Sequence, residues 1–324
     1  MTEPLAVVVR NDTLHLGPVN VHFRRTVRIP EKGLHHLPPS LGSFPLRRVQ
    51  DYPDTVPADW LARGGVMLPI RQREAMWLDL GGAEPAALQV ALGKVCAVSG
   101  AIWSATLTAN PQNYVSLPRQ PWLDGINSGE GSVRQFVATR LGLGATVEGQ
   151  VTGEETVGGF QLRAVGLTAQ ALEVWKAQEV ASPQIRGAAG VHAMAGAPLG
   201  MGVGAGGTMR QEIYRDSRPL DDYDAERSSR VFVHLCSAEQ WTAITGEAPP
   251  PSPIDRETYV HLNLPWFDYF DDDGEDLAPS DTLATVKTVG DVLELDEPAF
   301  TPTKPATVVV LKDQGGDAVA PGEW

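Results

Sequence analysis

GAAGVHAMAGAPLGMGVGAGG, residues Gly187 to Gly207, divides a longer front part of the chain from a shorter back part. It holds no charged residue in 21 positions, as a membrane span would. Eight of those positions are glycine, however, and Pro198 stands near the middle. Such residues supply little transfer free energy and weaken a helix. The stretch also contains a formal G-x-G-x-x-G at Gly202, Gly204 and Gly207. A phosphate loop of that kind needs a buried strand just before it and a helix just after it. His192 to Leu199 are interrupted by Gly196 and Pro198, so the strand is missing. The reading is an irregular, water-exposed connector over 187–210 that does not cross a bilayer.

In front of the connector the pattern is β. LAVVVR, the turn Asn11-Asp12 and an alternating run from Leu14 to Ile29 read as a hairpin. Val19, Val21, Phe23, Val27 and Ile29 share one face of the run, with Arg25 the exception. His22, Arg24 and Arg28 share the other and make a cationic stripe. Residues 34–57 are proline-rich, a wrapped arm that completes an N-terminal unit over 1–64. From Gly65 to residue 186, short branched and aromatic runs alternate with Gly-Gly, Asn-Pro, Asp-Gly and Ser-Gly turns. That spacing predicts a mainly β domain, an antiparallel sandwich or barrel. Leu167 to Val180 suits either a helix or a last strand.

Behind the connector, 211–324 reads as a smaller acidic α+β part with two or three short helices. Val231 to Cys236 is a strand. Ser237 with Gln240 makes a capping box, so a helix runs from Ala238 to Thr245 and Gly246 ends it. Thr258 to Leu264 and LPWFDYF precede an acidic loop, and Ser280 or Asp281 caps a second helix reaching Val289. VLEL and TVVVL are expected to close the fold as strands.

The net charge of −14 is concentrated at the back, where 211–324 carry 24 acidic and 8 basic residues. Such a surface repels nucleic acid and anionic lipid, so neither is expected as a partner. Cys96 and Cys236 both lie in apolar runs, which predicts buried reduced thiols and a cytoplasmic setting. The N-terminal residues read as neither a signal nor a transit peptide.

REAMWL, LGKVCAVSG, PQNYVSLPRQPWLDGI, VRQFVA and VEGQVTGEE, with MRQEIY, RVFVHL, ITGEAPPPSP and LPWFDYFDDD further on, together resemble an uncharacterised family of bacterial and fungal proteins. Members are sometimes labelled integral membrane proteins, which the hydropathy of this chain does not support. The resemblance brings no activity and no catalytic residues with it.

The candidate chemistry is sparse. No H-x-x-x-H, H-E-x-x-H, C-x-x-C or G-x-S-x-G spacing occurs. His234 and Cys236 share a strand face, and with His261 they outline a Cys/His site for a hydrolase-like alternative. The loop from Asp268 to Asp281 offers Asp271, Asp273 and Asp276 to Ca2+, although EF-hand spacing fails at both ends. Trp122 with Asp124 and Trp266 with Asp268 each follow a proline, suiting the rim of a small-molecule groove or a lid over a core edge. Arg24, Arg28, Arg47 and Arg48 face an acidic back part. With Phe44, Leu46 and Trp60 as apolar anchors, they favour an arm that reaches a neighbouring copy and builds a homo-oligomer, folding back on its own chain being the alternative. The reading that emerges is a soluble, non-catalytic binding or assembly module, with no cofactor beyond possible Ca2+.

Overall fold

The computed structural model describes residues 7–181, 201–251, 266–270, 275–295 and 308–312. Its first elements are strands β1 (Val7–Arg10), β2 (Thr13–Leu16), β3 (Val19–Thr26), β4 (Leu34–His35) and β5 (Arg47–Arg48), then helix α1 (Ala58–Arg63). There follow β6 (Val66–Pro69), β7 (Ala75–Gly82), β8 (Ala86–Leu92), β9 (Val95–Cys96), β10 (Val115–Leu117), β11 (Trp122–Leu123), β12 (Gly125–Gly129) and β13 (Ser132–Arg140). Helix α2 (Val147–Thr152), β14 (Phe160–Leu167), α3 (Ala169–Ala181), β15 (Met201–Arg210), β16 (Tyr223–Cys236) and α4 (Ala238–Thr245) come next. The last elements are β17 (Trp266–Phe270), α5 (Asp281–Ala284), α6 (Val289–Val292) and β18 (Val308–Lys312).

Sixteen of these strands join one largely antiparallel sheet, with β1-β2-β3-β7-β13-β15-β16-β14-β8-β10 as its main path. The sheet does not close into a barrel. The protein is therefore mainly β, with a few short helices packed against its strands. A single core cluster draws side chains from Leu14 near the front to Val286 near the back. The front, middle and back stretches thus all contribute to this sheet and this core, while β17 and β18 pair apart in a two-stranded parallel sheet.

The glycine stretch corrects the connector reading over its last ten residues; residues 187–200 lie outside those described. Met201–Arg210 is a strand in the main path, buried over almost its whole length. It pairs with β13 from Arg140↔Met201 to Ser132↔Arg210, and touches β16 and β4 as well. Met201, Val203, Ala205 and Met209 enter the core, while the glycines between them let other chain segments lie against the strand. A Cβ at Gly204 would stand 2.6 Å from the Ala145 carbonyl oxygen, and one at Gly207 only 1.9 Å from that of Pro30. Glycine serves close backbone approach here, not flexibility.

Other local expectations meet mixed outcomes. The turn at Asn11-Asp12 is formed, with φ of 50° and 56°. The run from Leu14 to Ile29 is broken by a second turn at Gly17-Pro18, so it makes two strands. Of the stretch Leu167 to Val180, Leu167 ends β14 and the residues from Ala169 onward form helix α3. Ser237 caps α4 by accepting from the Gln240 N–H, and Gly246 ends it at φ 71°. Ser280 caps only a short α5, and Thr288 caps a separate α6. VLEL therefore begins inside a helix rather than forming a strand, because the Thr288 hydroxyl accepts from the Asp291 N–H. TVVVL does supply β18, whereas Thr258 to Leu264 lies outside the described residues.

Arg25 faces inward, as its place in the alternation implies, and is only 2% exposed. Its guanidinium meets buried Glu74 at 2.7 Å and donates to the Pro251 carbonyl at 2.7 Å. Burying that charge is tolerable because a carboxylate and a carbonyl replace its water.

The arm returns to its own chain. Phe44 and Leu46 are buried in the main core, and Trp60 lies beneath α4 with Val49, Cys236 and Trp241. Arg47 forms a two-pronged pair with Glu247 at 2.8 and 2.7 Å. Within the chain the arm folds back, with its apolar anchors buried and Arg47 held by Glu247.

Candidate functional site

Strand β16 organises the site, because residues two apart on a strand share a face. Arg230, Phe232, His234 and Cys236 stand in a row along it. The Arg230 guanidinium lies over the Phe232 ring at 4.8 Å and over Trp103 at 5.3 Å. Phe232 and His234 are stacked at 6.1 Å, and His234 lies on Trp60 at 4.6 Å, both pairs within 18° of parallel. A continuous stack therefore runs from the arginine end of the strand towards the thiol end.

The thiol end is sealed. Cys236 is 0% exposed and its Sγ donates to the Leu68 carbonyl at 3.2 Å. Burial pushes this thiol far above its ordinary range. His234 is likewise buried, and its Nε2 donates to the Gly64 carbonyl at 2.9 Å. Burial pulls its pKa down to about 4, leaving the ring neutral at pH 7. Each group is hydrogen-bonded to a backbone carbonyl rather than to the other. A protonated thiol beside a neutral, engaged imidazole is a poor nucleophile pair. His261, the third member of the expected site, lies outside the described residues.

The arginine end is open. A cleft of about 250 Å³ is lined by Val7, Val9, Arg48, Arg63, Arg230 and Phe232, among others. Among the described residues no acidic one lines it. Arg48 is paired with Asp51 at 2.7 Å, and Arg63 with Asp59 at 3.3 Å and the Thr156 carbonyl at 3.2 Å. Arg230 hydrogen-bonds the Gln161 side-chain oxygen and has no carboxylate among the described residues. Burial lowers its pKa, and Arg163, its partner across β14 and β16, is lowered by burial and then by Arg230 itself.

The remaining candidates are dispersed. Trp122 is half-buried and meets Trp77 edge-on at 6.4 Å, while Trp266 is buried in the core. The two Pro-Trp pairs thus have different fates. Asp124 is buried, and Gln211 engages it twice: Nε2 donates to Oδ2 at 2.6 Å, and Oε1 accepts from the Asp124 N–H at 2.8 Å. Burial raises the Asp124 pKa to about 7, against which the Gln211 bond acts weakly. Asp268 is the middle residue of β17.

Asp276 accepts the N–H groups of Gly131 at 2.8 Å and Ile213 at 3.0 Å, which makes it a strut between loops. Asp271 and Asp273 lie outside the described residues, among which no three metal-ligating side chains converge. Of the interface candidates, Arg24 is held by Asp79 at 2.9 Å, Arg28 reaches Glu31 at 3.5 Å, and Phe44 is buried. No helix among the described residues is long and apolar enough to cross a membrane.

Sequence reasoning missed Arg63, Arg163, Arg230 and Trp103. A signal was present in the period-two order Arg-Phe-His-Cys over 230–236, which places an arginine on the face of the two residues it did single out. Compared with family models, curated proteins and solved structures, the chain matches none.

Proposed function

We propose that the protein is a non-catalytic binding module whose ligand enters the cleft at the Arg230 end of β16. The contrast along one strand face carries this reading. The groups that could do covalent chemistry, Cys236 and His234, are sealed and engaged, whereas the end carrying Arg230, which has no carboxylate partner among the described residues, is open. Small-molecule sites are concave and largely apolar with a few placed polar groups, and valines with a phenyl ring beside three guanidiniums meet that description. Pairing two copies through the arm would have to withdraw Phe44 and Leu46 from the core, so the single chain is the binding unit in this reading.

The test is thiol chemistry. Native protein is exposed to an aromatic disulfide reagent and the label located by mass spectrometry. Cys236 is expected to stay unlabelled until denaturant is added. Native labelling at or above the rate of free cysteine would return the hydrolase-like alternative to first place.

A further inference from the structure

Helix α1 is fastened to the body of the protein by one side chain. Of its six residues only Trp60 is buried, and that indole stacks on His234 at 4.6 Å. Gly64, which ends the helix, accepts from Nε2 of the same imidazole at 2.9 Å. Both attachments therefore converge on one titratable ring. Arg63 adds a bond to the Thr156 carbonyl at 3.2 Å, and its pair with Asp59 lies within the helix. Gly64 and Gly65 stand at φ of 64° and 90°, a region that glycine enters freely, so the chain can pivot there. Where α1 lies also shapes the cleft, because Arg63 and Gly65 are part of its wall.

Trp60 covers His234, which is 4% exposed. A neutral imidazole suits that place, whereas an imidazolium loses its water there. Stacking on an indole returns only part of that loss as cation–π attraction. The charges on α1 offset one another: Arg63 opposes a proton on His234 and Asp59, held by Arg63, favours it. Strand β16 itself carries Arg230 and the buried Cys236 thiol. β6 and residues 156–159 carry no titratable side chain. Residues 49–56 and α4 present Val49, Tyr52, Val56, Trp241 and Ile244 to this cluster, of which Tyr52 alone is ionisable. Lifting α1 uncovers the ring and restores its water.

We propose that α1 is an acid-released flap at the cleft. With a proton on His234 the open position is favoured, the helix turns on Gly64 and Gly65, and Arg63 leaves the cleft wall. The release stands on the Trp60–His234 stack; its consequence for a ligand rests on the binding-module reading above.

The experiment is hydrogen–deuterium exchange of the full chain, read by mass spectrometry at pH 7.5 and pH 5 and corrected for the intrinsic exchange rate. In the closed position burial brings the His234 pKa down to about 4, against 6.5 for an uncovered ring. Linkage between those two values raises the opening equilibrium about 30-fold from pH 7.5 to pH 5. Protection of the amides from Leu61 to Gly64 should fall by that factor, while α2 keeps its own. Ordinary carboxylates stay largely ionised at pH 5 and do not imitate the effect. His234→Phe keeps a ring for Trp60 but takes no proton, and its α1 protection should not depend on pH. His234→Gln, which keeps a donor for the Gly64 carbonyl, should behave alike, and circular dichroism establishes that each variant is folded. The inference is overturned if α1 protection in the parent is the same at both pH values, if α2 loses as much as α1, or if a folded His234 variant retains the response. The two readings fail separately. An unresponsive α1 with an inert Cys236 removes only the flap, whereas a reactive Cys236 removes the non-catalytic reading and leaves the exchange of α1 as measured.

Discussion

Replacing Asp124 by asparagine should stabilise the protein above neutral pH and do almost nothing in acid. Asp124 is 3% exposed, and burial lifts its pKa from 3.8 to about 7. Because the folded value lies above the unfolded one, folding favours the protonated carboxyl. The stability this contributes is complete below about pH 3.8 and is lost as pH rises through about 7. A difference of about three units corresponds to roughly 4 kcal/mol, a ceiling for the cost of ionising the buried group. Asparagine is neutral at every pH and keeps an oxygen to accept from Gln211 Nε2. Urea unfolding of Asp124→Asn should therefore match the parent near pH 4 and exceed it by about 2–4 kcal/mol near pH 8. The comparison must be between variant and parent. His234, with its pKa lowered from 6.5 to about 4, makes both proteins less stable as pH falls through that window, and the effect cancels in the difference. A stability change that is the same at both pH values, or a loss at alkaline pH, would refute the argument.

Two further perturbations test the fold. Gly207→Ala should destabilise by at least about 2 kcal/mol, because the new methyl meets the backbone oxygen of Pro30, which no rotamer can move; an unchanged melting temperature would contradict this. Arg25→Met should cost about 3–5 kcal/mol by leaving Glu74 buried without its partner, and Glu74→Met added to it should recover most of that loss. A double-mutant cycle showing simple additivity would mean that the pair is not coupled.

Much of the outline was legible because it is local. The cap of α4 needs only Ser237, Gln240 and Gly246 within ten residues, and the Asn11-Asp12 turn needs only two residues that tolerate positive φ. The β class followed from short branched runs between turns. Even the inward place of Arg25 could be read, since strand alternation leaves it no other face.

Contacts made across long separations were not legible. Arg25 finds Glu74 some fifty residues on, and the arm's arginine finds Glu247 at the far side of the chain. Asp124, read from the sequence as part of a groove rim, and Asp276, read as a Ca2+ ligand, gain a glutamine and two backbone N–H groups respectively only through tertiary packing. The glycine stretch is the clearest case. Its composition argues against a membrane helix, because glycine neither favours a helix nor brings apolar surface. Whether Gly202, Gly204 and Gly206 mark a loose connector or a buried strand depends on what lies against them. A missing side chain means freedom in water and close approach in a core, and only the chain packed over β15 decides between the two.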